Sequence, residues 1–252
     1  MSGEAASRSY LGLPQGQRAL AEVALASGKP VVALLSSGRP LVIPWLFERA
    51  HAVLATWFLG SEAGNAVADV LTGRHNPSGK LTVSWPRGLG QLPIFYAQRP
   101  SGRPSRSDER LSSTYLDVPF TPQFHFGHGL SYSRFLLQEL QCSPRSVRSG
   151  DSFTVTVIVE NCSDTAGETV VFLFVRDLVA SVAQPVLVLK GWQRIALEAL
   201  ERSTLRWSIP VEALGFIGGD LEPTLEPGRF EIHVGQSAAA AERLGCAIEL
   251  SV

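Results

Sequence analysis

An α/β unit with a partial parallel sheet and flanking helices, followed by an all-β sandwich, is the fold this sequence predicts. Three observations carry it. Short, wholly apolar runs alternate with helical periodicity as far as residue 86, the pattern of parallel strands covered on both faces. Beyond residue 133 the period changes to two, in five or more short runs separated by turn-forming residues. Between them lies a stretch rich in Pro, Gly, Ser and Arg that follows neither period. The expected boundaries are 1–86 for the α/β unit, 87–132 for a long loop closing it, and 133–252 for the sandwich.

The elements follow in order. Gln15 to Ala26 places Ala19, Leu20, Val23, Ala24 and Ala26 at helical spacing, with Pro14 at the start and Gly28 beyond the end, as helix termini favour. Val31 to Leu35 is an apolar strand that breaks at Ser36-Ser37-Gly38-Arg39-Pro40. A helical turn at Trp45 to Arg49 leads to a second strand, Ala52 to Thr56, and then to Trp57-Phe58-Leu59-Gly60. Glu62 to Leu71 is helical, and Leu81 to Ser84 makes a third strand after the turn Asn76-Pro77-Ser78-Gly79. A parallel sheet buried on both faces ordinarily has more than three strands. The expectation is therefore that this chain contains only the later part of its α/β domain.

The stretch from Arg87 to Gln123, with Arg99, Arg103, Arg106 and Arg110, is long enough to be either a functional loop or solvated surface. It closes on the aromatic and glycine-rich Phe124 to Tyr132. Strands are then expected at Phe153–Val159, Thr169–Val175, Val186–Leu189, Ser203–Ile209 and Arg229–Val234, which suggest an immunoglobulin-like or fibronectin-type sandwich.

Composition narrows the function classes. With 22 basic and 23 acidic residues, net charge −1, there is no field to gather polyanions, and nucleic acid is not an expected partner. No run is apolar enough for a membrane helix, and the first residues lack a secretory pattern, so the chain expressed as written would stay in the cytoplasm. Cys142, Cys162 and Cys246 are three, widely spaced and without a Cys-x-x-Cys pair. They read as buried apolar side chains, with neither a zinc site nor a disulfide framework. His125 and His128 have no third ligand in view. Nothing in the sequence calls for a cofactor or metal. Asn161-Cys162-Ser163 fits a glycosylation sequon only in the sense that any such tripeptide does.

Several segments, in order, carry a resemblance: Gly-Glu-Ala-Ala-Ser-Arg at 3–8, Leu-Pro-Gln-Gly-Gln at 13–17, Gly-Lys-Pro-Val-Val at 28–32, Ser-Gly-Arg-Pro-Leu at 37–41, Trp-Phe-Leu-Gly-Ser-Glu-Ala-Gly-Asn-Ala at 57–66, Asn-Pro-Ser-Gly-Lys-Leu at 76–81, Ser-Gly-Arg-Pro at 101–104 and Phe-Gly-His-Gly-Leu-Ser-Tyr at 126–132. Across nearly the whole chain they resemble the C-terminal portion of glycoside hydrolase family 3 β-glucosidases, of the periplasmic bacterial type with a fibronectin type III-like domain. The resemblance implies a retaining double displacement on a β-glucoside or β-xyloside, in which a carboxylate attacks the anomeric carbon and a carboxylic acid protonates the leaving oxygen. In the family the nucleophile is an Asp of an N-terminal barrel, which has no counterpart in these 252 residues. The acid/base Glu of the Glu-x-x-x-Arg pattern matches Glu4.

Glu4 is therefore the candidate acid/base, in a chain expected to be inactive alone. Glu62, Asp69, Asp108, Glu109 and Asp117 are not expected to replace the nucleophile. Trp57, with Phe58, could stack on a sugar or belong to the core, and Arg103 could contact substrate or make a structural ion pair. Trp192 and Trp207 are expected in the core or between domains. A β-glucoside or oligosaccharide would bind only together with the barrel; a separately made barrel chain and a homo-oligomer are both open as partners. The rival readings are a subunit of a split glycosidase and a non-catalytic fibronectin-like interaction module. Family resemblance points to the periplasm or to secretion.

Overall fold

The computed structural model describes residues 5–103, 113–239 and 243–251. Its α/β unit runs α1 (Gln15–Ala26), β1 (Val32–Leu35), α2 (Pro44–Arg49), β2 (Ala52–Ala55) and α3 (Ala63–Leu71). Strands β1 and β2 pair in parallel, Val32 opposite Ala52 and Leu35 opposite Ala55. Between them Leu35, Ile43, Leu46 and Trp85 form a small core, with Leu13, Leu25, Val53 and Trp57 packed against it. Trp85 is central: its indole N–H donates to the Leu41 carbonyl at 2.7 Å, and Phe47 meets its ring edge-on at 5.6 Å.

The expected third parallel strand does not form. Leu81 and Trp85 instead exchange backbone hydrogen bonds with the end of the long loop: Leu81 N–H donates to His128, Gly127 N–H to Leu81, Trp85 N–H to Phe124 and Gln123 N–H to Trp85. Leu81-Thr82-Val83-Ser84 is apolar enough for a strand, but its backbone groups are claimed by this local return of the chain. The loop is thus a clasp. Within it Gln91, buried, donates to the Pro119 carbonyl at 2.9 Å and accepts from Arg87 N–H at 2.6 Å.

The sandwich has two sheets. One is β3 (Phe135–Ser143), β5 (Ser152–Asn161) and β8 (Arg202–Pro210); the other is β4 (Ser146–Arg148), β12 (Arg243–Ser251), β11 (Gly228–Gly235), β6 (Gly167–Asp177) and β7 (Val188–Leu197), in that order. A two-stranded ribbon, β9 (Phe216–Ile217) with β10 (Pro223–Thr224), sits apart. Alternation drives the packing. Phe153, Val155, Val157 and Val159 of β5 point inward against Val171, Leu173 and Val175 of β6 and Phe230, Ile232 and Val234 of β11. Strands β3 and β12 lay outside the expected set, and β7 extends well past Leu189.

Cysteine usage also differs from expectation. Cys142 on β3 and Cys246 on β12 form a disulfide between the two sheets, with Cα atoms 6.5 Å apart, and Cys162 is free. A separation of 104 residues hides such a pair from any local spacing rule. Asn161 is fully buried and unavailable to a glycan. Its amide donates to the carbonyls of Thr165 at 2.8 Å and Glu198 at 2.9 Å, and its oxygen accepts from Ser163 N–H at 3.1 Å. Asn161→Ala would leave those buried groups unpaired and should cost about 3 kcal/mol, measured as a shift in denaturant midpoint; a loss comparable to that of an ordinary surface change would refute this role.

The two parts meet along a seam. Phe172 and Phe174, on the outer face of β6, pack with Tyr96 and Phe126 of the clasp. Gly127 has φ +84, and a Cβ there would lie 2.7 Å from the Ser237 Cα, so only glycine fits this close approach. Beside it Asn76 donates to Ser133 Oγ at 2.8 Å and to the Ala166 carbonyl at 2.9 Å, and accepts from Ser131 Oγ and Tyr132 N–H.

Candidate functional site

Both parallel strands end on the same side of the small sheet, and the loops that leave them shape a crevice there, as is general for sheets of this kind. Loop Ser36–Pro40 leaves β1, and Trp57–Gly60 leaves β2. Two hydroxyls join them at the base. Thr56 donates to the Leu35 carbonyl at 3.1 Å, which leaves the Ser36 hydroxyl to donate to Thr56 Oγ1 at 2.9 Å. Leu34, Trp57, Phe58, Leu59, Ala63 and Val67 complete an open, largely apolar pocket of about 310 Å³.

Trp57 stands between the core and the pocket. One face packs on Trp85, ring centroids 6.2 Å apart, while the residue also lines the pocket. Its φ of +51 lies in the left-handed region that non-glycine residues rarely adopt, a local cost of the kind often found where side chains are held for function. Phe58 is not a core residue: it is 78% exposed, and its ring lies over Gly38, where a Cβ would come within 2.9 Å. The bare glycine of the first loop thus seats the aromatic ring of the second.

The N-terminal segment is tied to the segment that leaves β1. Arg39 donates from Nη2 to Ser7 Oγ at 2.9 Å, and Val42 N–H donates to the Leu11 carbonyl at 2.9 Å. Residues 7–11 are therefore laid against the loop that leaves β1. Glu4 itself, the candidate acid/base, lies outside the described residues, as do Asp108 and Glu109. Arg39 and Ser7 were not singled out from the sequence, although Arg39 belongs to the Ser-Gly-Arg-Pro-Leu segment; a contact across 32 positions leaves no periodic signal.

The remaining candidates do not line this pocket. Arg103 is exposed and is the last described residue before 104–112. Glu62 accepts from the Asn65 amide at the start of α3, and Asp69 pairs with Arg74 at 2.9 Å. Both are surface groups on one helix. His128 stacks on Phe124 at 4.7 Å within the clasp. Trp207 is buried, as expected, but Trp192 is 62% exposed and belongs neither to a core nor to the seam.

Known proteins share this arrangement. Residues 1–132 match the family model described as "Glycosyl hydrolase family 3 C-terminal domain", and residues 169–238 match "Fibronectin type III-like domain". A periplasmic beta-glucosidase of Salmonella typhimurium is 39% identical over 245 residues, 96% of this chain and 32% of that protein. A beta-xylosidase of Formosa agariphila is 39% identical over 238 residues, 94% of this chain and 32% of that protein. Among solved structures, the beta-glucosidase of Listeria innocua in complex with isofagomine superposes with a TM-score of 0.93 at 40% identity, covering 98% of this chain and 35% of that one. The chain spans about a third of the length of the curated relatives it matches.

Proposed function

The chain belongs to glycoside hydrolase family 3, and on that premise we propose that it supplies the acid/base half of a retaining β-glucosidase or β-xylosidase, with Glu4 as the proton donor and the nucleophile provided by a barrel outside these residues. The observation that carries this reading is the clamp on the N-terminal segment. The Arg39–Ser7 and Val42–Leu11 hydrogen bonds tie residues 7–11 to the segment that leaves β1, which supports a role for a carboxyl group a few positions earlier in the chain on the side of the sheet where the crevice opens. A proton donor has to keep its proton until the leaving oxygen departs, and closure against a second domain would favour the neutral acid by desolvation. Trp57 at the pocket wall and Arg103 in the clasp are the proposed sugar contacts.

Further strands of the α/β domain, together with the barrel, would cover a surface that water now meets. Val32 and Leu34 on β1 are each 46% exposed, and Leu20 and Val23 on α1 are each 71% exposed. Among the described residues strands β1 and β2 pair only with each other, so each also has a free backbone edge there, a ready template for further strands. This favours a subunit or domain partner over a free-standing interaction module. The disulfide fits an oxidising compartment such as the periplasm.

Incubation of the purified chain with an aryl β-glucoside should give no turnover, and co-expression with the barrel region of a family 3 relative should restore it. Turnover by the chain alone, lost in Glu4→Gln, would overturn the division of labour proposed.

A further inference from the structure

Of the five tryptophans, Trp45 and Trp57 pack against the α/β core, Trp85 and Trp207 are buried, and Trp192 alone keeps most of its surface in water, at 62%. It stands on β7, the last strand of the five-stranded sheet, directly opposite Phe172 on β6. Partners in an antiparallel pair project from the same face, so Trp192 shares the outer face with Phe172. Yet Phe172 makes its ring contacts with Phe126 and Phe174, and among the described residues Trp192 makes none. The indole is thus left beside the seam without entering it. Two positions further along the same face Arg194 pairs with Glu168 of β6, both partly exposed. Just before Trp192 the ladder is irregular: Leu173 faces Gly191 and Phe174 faces Leu189, which leaves Lys190 as the extra residue of a bulge, a device that increases local twist and re-aims neighbouring side chains.

We propose that Trp192, with Arg194 and Glu168 beside it, is a carbohydrate-binding platform for a β-linked saccharide of gluco configuration. In such a ring the hydroxyls are equatorial and the C–H bonds axial, so each face is apolar and the rim polar. The indole matches the face, and the ion pair matches the rim, since the guanidinium donates to one hydroxyl while the carboxylate accepts from its neighbour. One cation and one anion leave the patch without net charge, which suits a neutral sugar polymer better than a nucleic acid or an acidic peptide. Because β7 is an edge strand, a polymer can pass along it without having to present an end. The platform only binds, and it stands on groups that the Glu4 reading does not use.

The test is native affinity electrophoresis of the whole chain through gels containing a soluble mixed-linkage β-glucan, with dextran, an α-linked polymer, as the control. The chain should be retarded by the β-glucan and not by dextran. Trp192→Ala should weaken retardation about tenfold, Trp192→Tyr should retain most of it, and Arg194→Ala should fall between them. An unchanged melting temperature for these surface variants would tie the loss to binding; should Trp192→Ala unfold, the Arg194→Ala and Trp192→Tyr comparison still decides. Glu4→Gln should migrate as the parent does, so failure of the catalytic reading would leave this result intact. The proposal is overturned if the parent chain is not retarded, if Trp192→Ala is retarded equally, or if sedimentation shows that Trp192 joins two copies of the chain while the glucan has no effect.

Discussion

Loss of the Cys142–Cys246 bond should lower the stability of the sandwich by about 4 kcal/mol, a fall in melting temperature on the order of 15 °C. The bond closes a loop spanning 104 positions and joins a strand of the three-stranded sheet to one of the five-stranded sheet. In the unfolded chain such a tether removes a large share of the conformations available. In the folded chain the two Cα atoms are 6.5 Å apart, within the range that a disulfide spans. Serine at both positions would in addition set hydroxyls in apolar surroundings, because Cys142 is buried. The measurement is a thermal melt of the oxidised chain against Cys142→Ser/Cys246→Ser, together with a thiol count in denaturant. One reactive thiol, Cys162, is expected; three thiols, or superimposable melts, would refute the prediction.

The second large effect is kinetic. In an enzyme reassembled with a barrel, Glu4→Gln should reduce kcat/KM for an alkyl β-glucoside by about 10²- to 10⁴-fold, the usual worth of a positioned general acid. A glucoside whose leaving phenol is already acidic should lose far less in the first step, because departure of that group needs no proton. Its turnover would instead be limited by hydrolysis of the glycosyl-enzyme, for which the same carboxylate serves as base, and a burst of phenol should precede a slow steady state. The alkaline limb of the pH profile, where a general acid loses its proton, should also disappear. Equal losses for both leaving groups would mean that Glu4 acts in binding or folding rather than in proton transfer.

Much of the fold was legible because local pattern and tertiary role coincide. The helix Gln15–Ala26 and the strands at Val32–Leu35 and Ala52–Ala55 announce themselves by period and by the turn residues around them. Where they part, the pattern misleads. Leu81 to Ser84 has a strand's composition, but its hydrogen bonds go to the clasp. Strand β3 hides its alternation behind a register shift between Gln138 and Gln141, with Glu139 at φ +52. The disulfide joins residues from opposite ends of the sandwich, and three cysteines alone do not say which two meet.

The candidate site divides in the same way. Glu4, Trp57 and Arg103 are approached through motifs that resemble a family, whereas the Arg39–Ser7 clamp is a single long-range contact with no signature in spacing. Phe58 was open between the core and a sugar face, and Trp192 was expected in the core or between domains. Both are outside, Phe58 laid over the bare backbone of Gly38 and Trp192 left at a sheet edge.

The clasp between residues 81–85 and 123–128 also bears on how the chain is made. During synthesis the N-terminal residues leave the ribosome first, and β1 and β2 can pair as soon as both are out. The groups that complete their core arrive much later, because the Trp85 backbone waits for Phe124 and the Phe126 ring waits for Phe172 and Phe174. The early half therefore emerges with its apolar surface open for the time taken to translate the following segment, an interval in which chaperone capture and misassociation compete with folding. Vectorial synthesis thus makes completion of the α/β unit wait on the sandwich that follows it in the chain.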